Sequence, residues 1–162
     1  MKRLLILGFV LLSVWQLSAQ ETTFILMRHA EKQQDGTKDP GLTDEGIARS
    51  LRLKDLLAEH EVHAIFSTPY QRTKLTVTPL STAREVSIQI YEPFKEGFLE
   101  QLLAAYPDQT VVISGHSNTI PLLVNQLIGA DEYEQLDDSD YNDLYLVTAS
   151  ELGDGNVIHL NY

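Results

Sequence analysis

The stretch Phe24-Ile25-Leu26-Met27-Arg28-His29-Ala30-Glu31-Lys32 decides the fold of this 162-residue chain. Four apolar residues lead directly into an arginine and a histidine, and a short apolar run of this kind is typical of a strand buried on both faces. Ligands of open α/β sheets bind beyond the carboxyl ends of such strands. Arg28 would offer a planar fork of donors to phosphate oxygens, and a neutral His29 could attack phosphorus. Taken alone, the stretch is equally compatible with a solvated Arg-His pair at the end of an edge strand.

A second apolar run, Thr110-Val111-Val112-Ile113, ends in Ser114-Gly115-His116-Ser117-Asn118. Its β-branched residues favour a strand, and Gly115 permits a tight turn with close approach of the backbone to a ligand. Two buried strands that each deliver a histidine to their carboxyl end are an uncommon coincidence. This pairing favours a shared site over two unrelated surface histidines.

Four sequence blocks occur in order between residues 24 and 120: Arg28-His29-Ala30-Glu31, Leu42-Thr43-Asp44-Glu45-Gly46, Ser67-Thr68-Pro69-Tyr70-Gln71-Arg72-Thr73 followed by Thr76, and Gly115-His116-Ser117. Together they make the chain resemble the histidine phosphatase superfamily, which has the phosphoglycerate mutase-like fold. The chain departs from the family pattern at Leu75, where the family often has glutamine. The resemblance implies an α/β fold, a three-layer αβα sandwich whose mostly parallel central sheet carries helices on both faces.

The resemblance also implies roles for individual residues. His29 would be the nucleophile, and the other catalytic positions would be Arg28, Arg72, His116 and Glu92. Substrate binding would involve Arg28, Arg72, His116, Ser117 and Asn118. For Arg72 the alternative is an ordinary surface arginine of a helix. For Glu92, the carboxylate nearest to the family's usual proton donor, the alternative is a loop carboxylate beside a proline.

The implied reaction is hydrolysis of a phosphomonoester through a covalent phosphohistidine on His29, without a metal or another cofactor. The substrate would be a phosphorylated small molecule or a phosphoprotein. One alternative is a phosphohistidine or phosphoprotein phosphatase of the same superfamily, because a phosphohistidine leaving group needs less help from an acid. Another is a non-catalytic module that binds a phosphorylated ligand.

The amino terminus has the pattern of an export signal. Met1-Lys2-Arg3 is followed by an apolar run from residue 4 to 12 and by the small residues of Leu17-Ser18-Ala19, which together are typical of a secretory signal peptide. The alternative is a retained membrane anchor, but the run is short and interrupted for a bilayer span. We therefore expect a signal peptide over residues 1–19 and one histidine phosphatase-like domain over residues 20–162. The protein would be exported, periplasmic or secreted, with no stable membrane insertion after cleavage.

The composition limits the partners. The formal net charge of −11 disfavours nucleic acid and anionic lipid as ligands. A phosphate pocket must then be locally positive, and Lys32, Lys38 and Lys74 are further candidates for its lining. The absence of cysteine excludes a disulfide framework and a lipid-anchored cysteine. His60 and His63 could share a helical face, but no further ligands accompany them and we expect no metal site.

The apolar periodicity predicts the remaining elements. We expect helices over Asp44–Ala58, from Thr68-Pro69 to shortly before Pro79, over Lys95–Tyr106 and over Thr119–Ile128. Strands are expected over Ala64–Ser67, Ser87–Tyr91, Tyr141–Thr148 and Asn156–Leu160, the last two forming a hairpin. The acidic stretch Asp131–Asp143 is expected to be an exposed loop. The first helix should turn five apolar residues toward the core: Ile47, Leu51, Leu53, Leu56 and Leu57.

Overall fold

The fold is known from a computed structural model that describes residues 20–162, so the expected signal peptide over residues 1–19 lies outside the described residues. The strands are β1 Thr22–Arg28, β2 Ala64–Ser67, β3 Ile88–Ile90, β4 Thr110–Gly115, β5 Asp143–Ala149 and β6 Asn156–Asn161. The helices are α1 Asp44–Leu56, α2 Gln71–Arg84, α3 Phe98–Ala105 and α4 Thr119–Ile128. The expected α/β fold is confirmed.

The strands form one six-stranded sheet in the order β3-β2-β4-β1-β5-β6. The pairs β3-β2, β2-β4 and β4-β1 are parallel, whereas β5 pairs with β1 and β6 pairs with β5 in antiparallel fashion. The two strands that end in histidine, β1 and β4, are therefore neighbours at the centre of the sheet. Because they run parallel, their carboxyl ends lie at the same edge.

Side chains of the central strands alternate between two apolar layers. On one face, Phe24 and Leu26 of β1 pack with Leu99 of α3 and Leu123 of α4. On the other face, Ile25 and Met27 pack with a layer from α1 and α2: Leu53, Leu57, Val77 and Leu80. Burial on both faces explains why β1 reads as a continuous apolar run. Among residues 20–162, no helix is both long enough and apolar enough to cross a bilayer.

The inward face of α1 differs from the expectation. Leu53 and Leu57 are buried, but three of the predicted core positions are 44–49% exposed: Ile47, Leu51 and Leu56. The rotation of α1 is set by Gly46, where a Cβ atom would lie 2.4 Å from the backbone oxygen of Glu31. With Gly46 against this backbone, the buried positions one and two turns later are Arg49 and Leu53.

The predicted end of α2 before Pro79 is also wrong, because the helix continues to Arg84 and ends at a left-handed Glu85 with φ 55°. An internal proline removes one hydrogen bond and costs about 3 kcal/mol. Leu75, whose carbonyl loses that partner, is exposed, whereas Val77 and Leu80 on either side of Pro79 are fully buried. Their packing offsets the missing bond. By contrast, α4 has the predicted bounds, and α3 begins three residues late, after Gly97 with φ 76°.

Candidate active site

The pairing of β1 with β4 brings the two histidines together. Arg28 is in register with Gly115, and the backbone N–H of His29 donates to the Gly115 oxygen at 2.9 Å. A side chain at residue 115 would clash, since its Cβ would lie 2.8 Å from the Tyr91 hydroxyl. The ring centroids of His29 and His116 are 5.6 Å apart. His29 and His116 are far apart in the sequence, but they lie side by side because β1 and β4 are neighbouring strands.

His29 is a buried, neutral imidazole with a defined tautomer. Its Nδ1 lies 2.8 Å from the backbone oxygen of Ala30, which can only accept, so Nδ1 carries the proton and Nε2 keeps its lone pair. The Ala30 backbone N–H is held by the Thr76 hydroxyl at 2.9 Å. Burial, with Arg28 and Arg72 nearby, lowers the pKa of His29 to about 3, although the Ala30 bond opposes this. The imidazole is therefore neutral at neutral pH, as a nucleophile must be.

His116 is hydrogen-bonded to the hydroxyl groups of two threonines in series, Thr68 and then Thr73. Thr73 uses its hydroxyl proton toward the backbone oxygens of Thr68 and Tyr70, at 3.1 and 2.9 Å. The Thr68 hydroxyl must then donate to Thr73 Oγ1 at 2.8 Å and accept from His116 Nε2 at 2.9 Å. Nδ1 of His116 thus holds the lone pair. Burial, helped by Arg72 and Arg28, lowers the pKa of His116 to about 4.

Arg28 is 3% exposed, and the loop before β5 holds its guanidinium. Nη1 donates to the backbone oxygens of Asp137 at 2.7 Å and Asp140 at 2.6 Å, and Nη2 donates to that of Asp138 at 3.2 Å. The guanidinium carbon lies 4.2 Å from the centroid of the Tyr141 ring. Nε is left buried and without a hydrogen bond within the described part of the chain.

Arg72 lies in the first turn of α2, between the two histidines in sequence, and lines the same pocket. Its guanidinium carbon is 4.4 Å from the centroid of the Tyr70 ring, and Nη1 is 3.8 Å from Asp39 Oδ1. Asp39 also accepts from the Gln71 backbone N–H at 2.8 Å. The Nε atom of Arg72, like that of Arg28, is buried without a partner among residues 20–162. Two such cationic donors at one pocket suit an anion.

The pocket has a volume of about 510 Å³ and contains every site residue that the sequence predicts: Arg28, His29, Arg72, Glu92, His116, Ser117 and Asn118. Of the lysine candidates, Lys32 lines it, Lys38 lines a neighbouring cavity, and Lys74 lines neither. Glu92 is exposed and its carboxylate has no hydrogen bond to the rest of the described chain. In residues 20–162 no three His, Cys, Asp or Glu side chains are grouped to hold a metal ion.

Several residues of the pocket region escape sequence reasoning. Tyr70 and Phe94 line the pocket, and Tyr141 lies against both Arg28 and His29. The available signal is an aromatic residue within or next to a motif: Tyr70 lies inside the Ser67–Thr73 block, and Phe94 follows Glu92 by two residues. Tyr141 carries none, because its place depends on how an irregular loop folds back over β1.

Solved structures with this fold include several phosphatases. The mycobacterial glucosyl-3-phosphoglycerate phosphatase has a TM-score of 0.72 at 12% identity, covering 87% of this chain and 99% of that chain. The protein histidine phosphatase SixA, complexed with tungstate, has a TM-score of 0.70 at 18% identity, with 86% and 96% covered. The phosphoserine phosphatase of Entamoeba histolytica, in complex with 3-phosphoglyceric acid, has a TM-score of 0.66 at 16% identity, with 87% and 97% covered.

These likenesses confirm the predicted phosphoglycerate mutase-like architecture. No curated protein sequence matches the chain. Residues 24–98, which run from β1 to the first residue of α3 and contain Arg28, His29 and Arg72, match the family described as the histidine phosphatase superfamily (branch 1).

Proposed function

We propose that this protein is a histidine phosphatase that hydrolyses a phosphomonoester through a phosphohistidine on His29. The observation that carries the proposal is the pairing of a free nucleophilic nitrogen with unsatisfied cationic donors. Nδ1 of His29 is bound to a carbonyl, Nε2 is free, and the buried Nε atoms of Arg28 and Arg72 have no partner within residues 20–162. A phosphate group in this pocket would lie beside both guanidiniums and balance their charge.

The chemistry follows from these groups. Nε2 of His29 attacks phosphorus, the P–N bond forms, and the bond to the leaving oxygen breaks as that oxygen takes a proton from an acid. Water then attacks phosphorus and gives a proton back to the deprotonated acid, the P–N bond breaks with its electron pair returning to Nε2, and phosphate and neutral His29 are released. Arg28 and Arg72 supply positive charge to the phosphoryl oxygens in the transition state. A bound phosphate also raises the pKa of His116, so that Nδ1 could gain a proton and become a donor.

The carboxylates of the region favour a second candidate, a phosphohistidine phosphatase. Glu31 is bound to Arg49 and Asp39 lies beside Arg72, which leaves the exposed Glu92 and Asp138 as the candidates for the acid. A nitrogen leaving group of a phosphohistidine needs less help from such an acid than an alkoxide does. Comparing the hydrolysis of an alkyl phosphate with that of a phosphohistidine peptide distinguishes the two.

We also propose export of the protein, supported by the charged start and apolar run of residues 1–19. The mature enzyme would act on a phosphorylated small molecule or a phosphoprotein. Amino-terminal sequencing of the protein from the producing cells and from their medium tests the export proposal. Cleavage after Ala19 would give a chain that begins at Gln20.

The central test is the His29→Ala variant, assayed with p-nitrophenyl phosphate and for trapping of a phosphoenzyme that is labile in acid and stable in alkali. The variant should lose turnover and phosphate labelling by several orders of magnitude, because it lacks the Nε2 atom that attacks phosphorus. His159→Ala, in the edge strand β6, is the matched control and should keep both. Phosphate binding with no turnover in the unaltered protein would favour the non-catalytic module. Full activity of His29→Ala would disprove the covalent mechanism.

A further inference from the structure

One wall of the active-site pocket is apolar and exposed. Phe94 is 70% exposed and Tyr70 is 42% exposed, and both line the pocket together with Pro69 and Pro93. Two exposed aromatic rings beside a cationic pocket are unusual, since a large apolar side chain in water loses the benefit of burial. Exposed apolar surface at the rim of a concave site typically marks where a ligand packs.

The apolar surface continues away from the phosphate-binding residues. Phe94 and Pro93 also line a second cavity of about 500 Å³, whose wall includes Leu122 of α4 and Leu152 of the β5-β6 turn. These two leucines are 36% and 38% exposed. Phe94 therefore lies between the pocket of His29 and a second cavity, large enough for an organic group, whose wall is apolar at these side chains and charged at Lys95, Glu96 and Glu100.

Beside Phe94, the charges of the pocket match an apolar organic group better than a second anion. The cations Arg28 and Arg72 lie beside the histidines, and Lys32 is shared with a separate cavity that Lys38 and Arg72 also line. The exposed carboxylates Glu92 and Asp138 line the same pocket. A second negative group on the substrate would meet these carboxylates in a protein that already has a net charge of −11.

We propose that the natural substrate carries an apolar, aromatic group next to its phosphate, and that Phe94 determines this specificity by packing against that group. The inference rests on the proposed function, because it takes the phosphate to lie at Arg28, His29 and Arg72. Tyr70, held by Arg72 and with its ring centroid 5.2 Å from that of His116, forms the other aromatic surface of the pocket.

Phosphonates test the proposal without turnover, because their P–C bond is not hydrolysed. Dissociation constants for methylphosphonate, benzylphosphonate and phosphonoacetate are measured by calorimetry on the unaltered protein. Benzylphosphonate should bind about tenfold more tightly than methylphosphonate, from burial of one ring and its contact with another. Phosphonoacetate should bind no more tightly than methylphosphonate. A preference for the benzyl group of less than about threefold, or a preference for phosphonoacetate over it, would overturn the inference.

Variants assign the preference to Phe94. The preference is the dissociation constant of methylphosphonate divided by that of benzylphosphonate. In Phe94→Ala this ratio should fall at least to about a third of its original value, and Phe94→Tyr should restore it. Ile158→Ala, which removes a similarly exposed apolar side chain from β6, is the control and should keep the ratio. An unchanged ratio in Phe94→Ala would refute the role of Phe94. Failure of both methylphosphonate and inorganic phosphate to bind the unaltered protein would instead disprove the phosphate site itself, and the inference with it.

Discussion

The guanidinium carbon of Arg28 lies 4.2 Å from the centroid of the Tyr141 ring, and the same ring lies 6.0 Å from the imidazole of His29. Tyr141 therefore contacts the proposed nucleophile and its neighbouring cation at once. The loop that carries Tyr141 holds Arg28 through backbone oxygens, which orient a guanidinium without neutralising it. The nearest carboxylate, that of Asp138, is 3.8 Å from Nη2 but 97% exposed, so water screens it.

Replacement of Tyr141 tests whether this contact positions Arg28. Tyr141→Ala should lower kcat/KM by about tenfold, the size of a partly buried cation–π contact, whereas Tyr141→Phe keeps the ring and should stay within about twofold. The inhibition constant of inorganic phosphate should rise in parallel with the loss. Ile158→Ala, which removes an exposed side chain of β6 outside the pocket, is the control and should change neither readout. If Tyr141→Ala matches the unaltered enzyme in both readouts, the contact is incidental.

A buried ion pair between Glu31 and Arg49 connects the segment after His29 to α1. Arg49 is 5% exposed and binds Glu31 through Nε and through Nη2 at 2.6 Å, and its Nη1 donates to the Tyr162 backbone oxygen at 2.5 Å. The pKa of Glu31 is lowered, because its hydrogen bonds to Arg49 outweigh the effect of burial.

Breaking this pair should destabilise the fold. Glu31→Gln leaves a buried guanidinium without its counter-charge, and we expect the free energy of unfolding to fall by about 3 kcal/mol. Chemical denaturation at neutral pH measures the loss. Asp55→Asn, which disrupts the exposed Lys54–Asp55 pair, is the control and should cost less than about 1 kcal/mol. Equal effects of the two variants would contradict the assignment of Glu31–Arg49 as a buried pair.

The sequence predicts the central strands and the two histidines because burial on both faces leaves a readable pattern. β1 and β4 are continuous apolar runs that end in Arg28-His29 and Gly115-His116, and parallel strands deliver both ends to one edge. The start of α1 at Asp44 is confirmed as well, and there the Thr43 hydroxyl accepts from the Gly46 N–H at 3.1 Å. These features depend on local patterns and on general rules for parallel sheets.

The features that the sequence does not predict depend on tertiary contacts. The buried face of α1 is determined by how closely Gly46 approaches the Glu31 backbone, so apolar spacing alone selects the wrong side for Ile47 and Leu51. The acidic loop was expected to be exposed, and its side chains largely are. Its backbone oxygens nevertheless bind Arg28, and composition carries no information about such contacts.

The two histidines make stability depend on pH. Their pKa values in the folded protein are about 3 for His29 and about 4 for His116, against an ordinary value of 6.5. At pH values below about 6.5 and above about 4, the two histidines bind protons in the unfolded chain but not in the folded chain. The free energy of unfolding should therefore fall as the pH drops from about 6.5 toward 4. His29→Asn removes one of these groups and should make the decline shallower. Denaturation curves at several pH values measure it, and an unchanged slope would contradict a neutral, buried His29.

Glu92 can be tested through the leaving group of the substrate. Glu92→Gln keeps size and hydrogen bonding but removes the acidic proton. An alkyl alkoxide must be protonated as its bond to phosphorus breaks, so the variant should slow an alkyl phosphate by about a hundredfold, whereas p-nitrophenolate leaves readily and should be little affected. Glu96→Gln, an exposed carboxylate four residues away, is the matched control. Equal slowing of both substrates would assign Glu92 to binding or structure. If the variant slows neither substrate, Glu92 is excluded as the acid. Because Glu31 and Asp39 are already engaged, the acid is then Asp138 or the substrate is a phosphohistidine.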